Sequence, residues 1–241
     1  MLELHQFRHS AFCLKVRMAL ERKDLSYRVV EVTPGIGQLT VFRISGQKQV
    51  PVLVDGDNVV SNSSAILRYL EELSPEPTLF PKDHSQEAQA HLIENWADTT
   101  LAKAAKAALL QAAALDQELR GALLPNELPE PFRKAIEGLP LKVINDLSDA
   151  LNQGERQSLL SCLEKITQLV EKKRWLVGNS ISAADLAVAA QLSLLRFPPS
   201  SGETLAGKGV PGITDHPQLQ ALFQWRDELE LSLNEKDPDY F

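Results

Sequence analysis

The chain has 241 residues, 44% of them hydrophobic, enough to bury a sizeable core and far from the composition of a disordered chain. A net charge of −7 and a pI near 5.3 exclude a broad nucleic-acid or anionic-membrane surface, since both need an excess of Lys and Arg. The two cysteines, Cys13 and Cys162, are too few for a disulfide framework and point to a reducing compartment.

The opening residues, MLELHQFRHS, lack a basic segment followed by an apolar run, so no secretory leader is expected. The most apolar stretch, residues 183–195, is too short to span a bilayer and carries Asp185. A cytoplasmic protein with no membrane partner is therefore expected. No close Cys/His cluster suggests a metal site, and no glycine-rich phosphate loop is present.

Residues 2–7 read as a short strand. Residues 11–22 carry Leu14, Val16, Met18, Ala19 and Leu20, which suits a helix packed on a sheet. The β-branched and aromatic run SYRVVEV at residues 26–32 favours a strand. Strand, helix, strand in that order suggests a βαβ unit with parallel pairing. Residues 33–47 are poorly patterned and hold Gly35, Gly37 and Gly46. Residues 50–54 read as a strand interrupted by Pro51, Asp55-Gly56-Asp57-Asn58 as a turn, and Val59-Val60 as the returning strand. Residues 63–73 are an amphipathic helix through Ile66, Leu67, Tyr69, Leu70 and Leu73, stopped by Pro75 and Pro77.

The proline-rich residues 74–83 read as a connection between domains. This gives a first domain over residues 1–75, a linker at 76–84 and an all-helical second domain over 85–241. In the latter, residues 86–115 are rich in alanine and strongly helical. Residues 116–155 hold four prolines and are expected to form a loop with one short helix near 141–151. Further helices are expected at 157–176, 182–195 and 218–231, with a loop over 197–212.

Two features of the first domain belong together. Ser10-Ala11-Phe12-Cys13 lies at the turn from the first strand into the first helix, where the helix N-terminus favours a thiolate. Val50-Pro51 stands immediately before a strand and hairpin, a place where a cis proline leaves neighbouring backbone able to pair with a peptide-like ligand. The full set is Ser10-Ala-Phe-Cys-Leu-Lys-Val-Arg17, Gln49-Val50-Pro51-Val-Leu53, Asn62-Ser63-Ser-Ala65-Ile66 and Ser182-Ala-Ala-Asp185. In this order and at this spacing the sequence resembles the glutathione transferase superfamily, in its serine-type or omega-like cytosolic branches. The resemblance implies an α/β thioredoxin-like N-terminal domain followed by an all-α helical bundle.

It also implies roles. Ser10 matches the catalytic serine of serine-type members and the reactive cysteine of omega-like ones. Val50, between Gln49 and a cis Pro51, matches the residue whose backbone pairs with the cysteinyl unit of glutathione. Asn62 and Ser63 match the Glu/Gln-Ser pair that holds the γ-glutamyl end. Glutathione is then the co-substrate, a small apolar electrophile the second partner, and a homodimer the expected assembly, with no metal and no nucleic acid. The chain departs from the family pattern in carrying Asn at position 62, Lys48-Gln49 in place of Gly-Lys, and no tyrosine before Tyr27.

Three functions follow as expectations: conjugation of glutathione through Ser10, glutathione-dependent thiol reduction through Cys13, or a binding module without turnover. Against these stand plainer readings. Ser10 and Ser63 suit helix caps, and a lone buried cysteine is usually inert packing. His9 adjoins the site as a possible acid or base. Ser182 and Asp185 form a Ser-x-x-Asp capping box with a structural role. Trp96, Trp175 and Trp225 are expected on helices, as core.

Overall fold

A computed structural model describes residues 1–33, 37–124, 130, 131, 134 and 153–234. Strand β1 (Leu2–Gln6) leads into α1 (Ala11–Arg22) and then β2 (Tyr27–Glu31). The two strands pair in parallel, with Leu2 opposite Tyr27 and Leu4 opposite Val29. After α2 (Gly37–Ser45), a hairpin of β3 (Val52–Asp55) and β4 (Asn58–Ser61) returns antiparallel to β1, placing Leu53 opposite Leu4. The sheet order is β2-β1-β3-β4. Helix α3 (Ser63–Leu73) follows and packs beside α1. This mixed four-stranded sheet with flanking helices is thioredoxin-like.

Helix α1 is buried almost all round: Ala11, Cys13, Leu14, Val16, Met18, Ala19 and Leu20 all lie inside. So does Lys15, the one charged residue among those buried on this helix. Its C-terminal end is anchored by Lys23, whose ammonium donates to the Glu71 carboxylate at 2.5 Å and to the Ser74 carbonyl at 2.6 Å. Glu71 in turn accepts from the Leu79 N–H at 2.9 Å and from the Thr78 hydroxyl. The connection after α3 is thereby tied back to the front domain.

Helix α2 corrects the sequence reading of residues 33–47 as unpatterned. Val41 is its one residue buried in the apolar cluster with Val32 and Val52. Leu39 and Phe42 face outward, so no apolar stripe marks the helix in the sequence. The strand expected from residue 50 begins after the proline, at Val52, because proline has no N–H to give the ladder.

Helix α4 (His84–Trp96) passes through one π turn (Ala97–Leu101) into α5 (Ala102–Leu115). A short α6 (Gln117–Ala122) is capped by Asp116, which accepts from Glu118 N–H at 2.9 Å and Leu119 N–H at 3.0 Å. Sequence reading missed this helix inside residues 116–155. The helix expected near 141–151 lies outside the described residues. Helices α7 (Gln153–Lys172), α8 (Ala183–Leu192) and α9 (Gln220–Asn234) complete the helical part. Trp175 lies in a bend beyond α7 rather than on a helix.

Two compact units emerge. One comprises Met1–Asn95, Trp175–Ala190 and the described part of Leu229–Phe241; the other comprises the described residues of Trp96–Arg174 and Gln191–Glu228. In the first, Ala90, Val177 and Ala184 form a small apolar cluster with Ile93 and Leu176. In the second, the Trp225 indole donates to the Arg174 carbonyl at 2.8 Å, and the fully buried Arg226 donates to the Arg196 carbonyl at 2.7 Å. No helix among the described residues is long and apolar enough to cross a membrane.

Candidate functional site

Ser10 is the N-cap of α1. Its backbone is extended, and its hydroxyl oxygen accepts the Cys13 N–H at 3.4 Å. That satisfies one of the helix's orphan donors. The oxygen keeps its own proton to donate, and the residue is only partly buried. Cys13 is different. It has no exposed surface, and burial pushes its thiol above the ordinary range, against weaker pulls from the Ser10 side chain, the Phe7 backbone and Arg17. A buried thiol held protonated is a poor nucleophile.

The loop that delivers Ser10 is held by a network that sequence reading did not find. Glu31 at the end of β2 accepts from the Arg8 N–H at 2.6 Å and from the Gln6 amide at 3.1 Å. Arg17 on α1 donates to the Gln6 side chain at 2.5 Å and to the Arg8 carbonyl at 3.4 Å. Strand end, loop and helix are thus locked by one carboxylate and one guanidinium. His9 packs edge-on against Phe7, with ring centroids 5.9 Å apart. Burial, then the Arg8 and Arg17 charges, hold its imidazole down at about 4. His9 is therefore neutral at pH 7.

The second half of the site starts at Pro51. The Val50–Pro51 bond is cis, as expected from the sequence. Pro51 is buried, Val50 packs against the Val32–Val41–Val52 cluster, and Gln49 is exposed. Asn62 and Ser63 follow at the end of the hairpin. Asn62, not Ser63, caps α3: its side-chain oxygen accepts from Ser64 N–H at 2.9 Å and Ala65 N–H at 3.4 Å. Asn62 does so at φ 77°, ψ 127°, a conformation that a non-glycine residue seldom adopts and that clusters at ligand-holding positions. Asn62 is exposed, while Ser63 beside it is buried.

Beneath this turn lies a buried ion pair. The Lys15 ammonium donates to the Glu94 carboxylate at 3.0 Å and to the Ser64 hydroxyl at 3.2 Å, with side chains 1% and 4% exposed for Lys15 and Glu94. One signal was readable: a lysine set between Leu14 and Val16 in the apolar part of α1. Its partner, 79 residues away in the sequence, was not.

Ser182 and Asp185 form the expected capping box at the start of α8. The Asp185 carboxylate accepts from Ser182 N–H at 2.9 Å and from the Ser182 hydroxyl at 2.7 Å. It also accepts from Leu176 N–H at 2.8 Å, so it pins the preceding loop as well as the helix. Burial pushes this carboxyl up to about 6, against the pull of those three bonds.

Comparison with known proteins agrees with this architecture. Residues 4–78 match the family model described as glutathione S-transferase, N-terminal domain. The chain is 30% identical over 203 residues to FtsZ-localized protein A of Caulobacter vibrioides, covering 80% of this chain and 77% of that one. It is 39% identical over 90 residues to a zeta-class glutathione S-transferase of Euphorbia esula, a match spanning 36% of this chain and 40% of that relative. A crystal structure of a glutathione S-transferase from Rhodospirillum rubrum F11 superposes with a TM-score of 0.66 at 25% identity, covering 100% of this chain and 90% of the other. The chain belongs to the glutathione transferase superfamily.

Proposed function

We propose that the chain binds glutathione across the starts of α1 and α3 and transfers its thiolate to a small apolar electrophile. The observation that carries this reading is that two helices of the front domain each open on a polar cap. A partly exposed hydroxyl, Ser10, caps α1, and a residue at positive φ, Asn62, opens α3. In this reading the Ser10 O–H donates to the glutathione sulfur, which sheds its proton to water. The helix N-terminus adds its partial positive charge. The thiolate then attacks the electrophilic carbon, forming a C–S bond as the leaving group departs with its electron pair. Val50 supplies backbone pairing for the cysteinyl unit, beside Gln49 and Pro51, and Asn62 and Ser63 hold the γ-glutamyl end. A homodimer in the cytoplasm fits the same reading.

Ser10→Ala removes one hydrogen bond to a charged sulfur, so kcat/KM should fall about 10- to 100-fold. Steady-state conjugation of glutathione to a chlorodinitrobenzene checks it. Cys13→Ser should leave that activity within about 3-fold, since the loss of a small buried thiol changes only packing. The reverse pattern would move the chemistry to Cys13 and make the chain a thiol reductase.

A second reading rests on a relative matched over most of the chain. Likeness to FtsZ-localized protein A runs over 80% of the sequence, whereas the zeta-class match stops at 36%. This favours a binding module that associates with FtsZ and turns nothing over. Co-sedimentation with FtsZ, together with no retention on immobilised glutathione by a folded sample, would select it.

A further inference from the structure

We infer that Lys15 is a positioning residue that sets the span between the two ends of the glutathione site, so that its loss removes recognition of the γ-glutamyl end selectively. The inference rests on the glutathione reading above and concerns how that site is held.

Ser10 opens α1 and Lys15 sits five residues on, about 7.5 Å along a rigid helix. Asn62 opens α3 and Ser64 sits two residues on. The Lys15 ammonium reaches the Ser64 hydroxyl at 3.2 Å, and the Ser64 N–H is taken by the Asn62 side chain at 2.9 Å. Ser64 is therefore gripped from both directions. Its hydroxyl ties the first turn of α3 to α1, and its amide fixes Asn62. A single side chain thus connects the helix that presents the thiolate-stabilising hydroxyl to the turn that presents the γ-glutamyl contacts.

Packing alone does not require a charge here. Lys15 is 1% exposed, its neighbours on α1 are apolar, and a methionine of similar length, with leucine in place of Glu94, would fill the same volume without any charge. What an apolar side chain cannot supply is a directional bond to Ser64. Glu94 completes the arrangement by compensating the buried ammonium at 3.0 Å, while another N–H of that ammonium holds Ser64.

The test compares glutathione with cysteinylglycine, which keeps the thiol and lacks the γ-glutamyl unit. The wild-type chain should bind glutathione about 10-fold or more tightly than cysteinylglycine by calorimetry, the worth of a charge-assisted contact. Lys15→Met should abolish that preference: glutathione affinity falls about 10-fold, cysteinylglycine affinity changes less than about 2-fold, and kcat at saturating glutathione is retained. Ser64→Ala removes the acceptor while keeping the Lys15–Glu94 pair. It should shift the preference in the same direction, and it carries the comparison if Lys15→Met fails to fold. A preference that survives in these variants, or equal losses for both thiols, overturns the positioning role alone. A folded wild-type chain that binds both thiols equally overturns the γ-glutamyl site itself.

Discussion

Asp185→Ala loses about 2–4 kcal/mol of unfolding free energy at pH 7, read from urea denaturation. The size follows from what the carboxylate holds. Three donors, the Leu176 N–H, the Ser182 N–H and the Ser182 hydroxyl, converge on one fully buried side chain. Removing it strands two backbone N–H groups away from water, each at a cost of about 1–3 kcal/mol, and removes a helix cap. Relief of a buried charge returns part of that loss. The pH dependence has a definite sign. The folded carboxyl binds its proton up to about 6, against 3.8 for the free group. The folded state therefore holds more protons than the unfolded one across that interval, and the Asp185 contribution to stability falls as pH rises from about 4 to 6. Wild type should gain up to about 3 kcal/mol over the variant as pH drops through this window. Parallel stability curves for the two proteins between pH 4 and 7 would rule this out.

Glu94→Ala should cost more, about 3–5 kcal/mol, because it breaks a buried ion pair by removing one partner. The pair stands 3.0 Å apart with both side chains almost wholly inside. The double replacement Lys15→Met/Glu94→Leu removes both charges together and should recover most of that loss. Chemical denaturation of the two single variants and the double one completes a cycle whose coupling free energy measures the pair. A coupling below about 0.5 kcal/mol would show that the two groups do not depend on one another.

Helices α1 and α3 were legible in the sequence to the residue, from the apolar positions of residues 11–22 and from the helical spacing of Ile66, Leu67, Leu70 and Leu73 ahead of Pro75 and Pro77. The strands were legible from β-branched runs and the Asp-Gly turn. Helix α2 was not. It buries Val41 and leaves Leu39, Phe42 and Ile44 outward, so its sequence has helical geometry without a helical pattern. Of the glycines noted there, Gly46 takes φ 73° just beyond the helix, whereas Gly37 begins it.

At the site, the positions of Ser10, Val50, Pro51, Asn62 and Ser63 were readable because each stands at an element boundary. Their supports were not. Glu31 reaches Arg8 across 23 residues, and Glu94 reaches Lys15 across 79. A glutamate in an alanine-rich helix looks like any solvated residue until the fold brings a lysine to it. The assignment of the α3 cap to Ser63 failed for a local reason: the chain turns through positive φ at Asn62, which swings the amide side chain, rather than the serine hydroxyl, over the open helix end.

That cap has a cost for any visitor. With the amides of Ser64 and Ala65 already engaged by Asn62, an incoming carboxylate meets a helix whose best donors are occupied. It must settle for what Ser63 still offers, or displace the asparagine and leave that amide to be rehydrated. The protein has in effect furnished its own occupant for those two amides, which leaves the reception of a guest to Ser63 and to the Asn62 amide nitrogen.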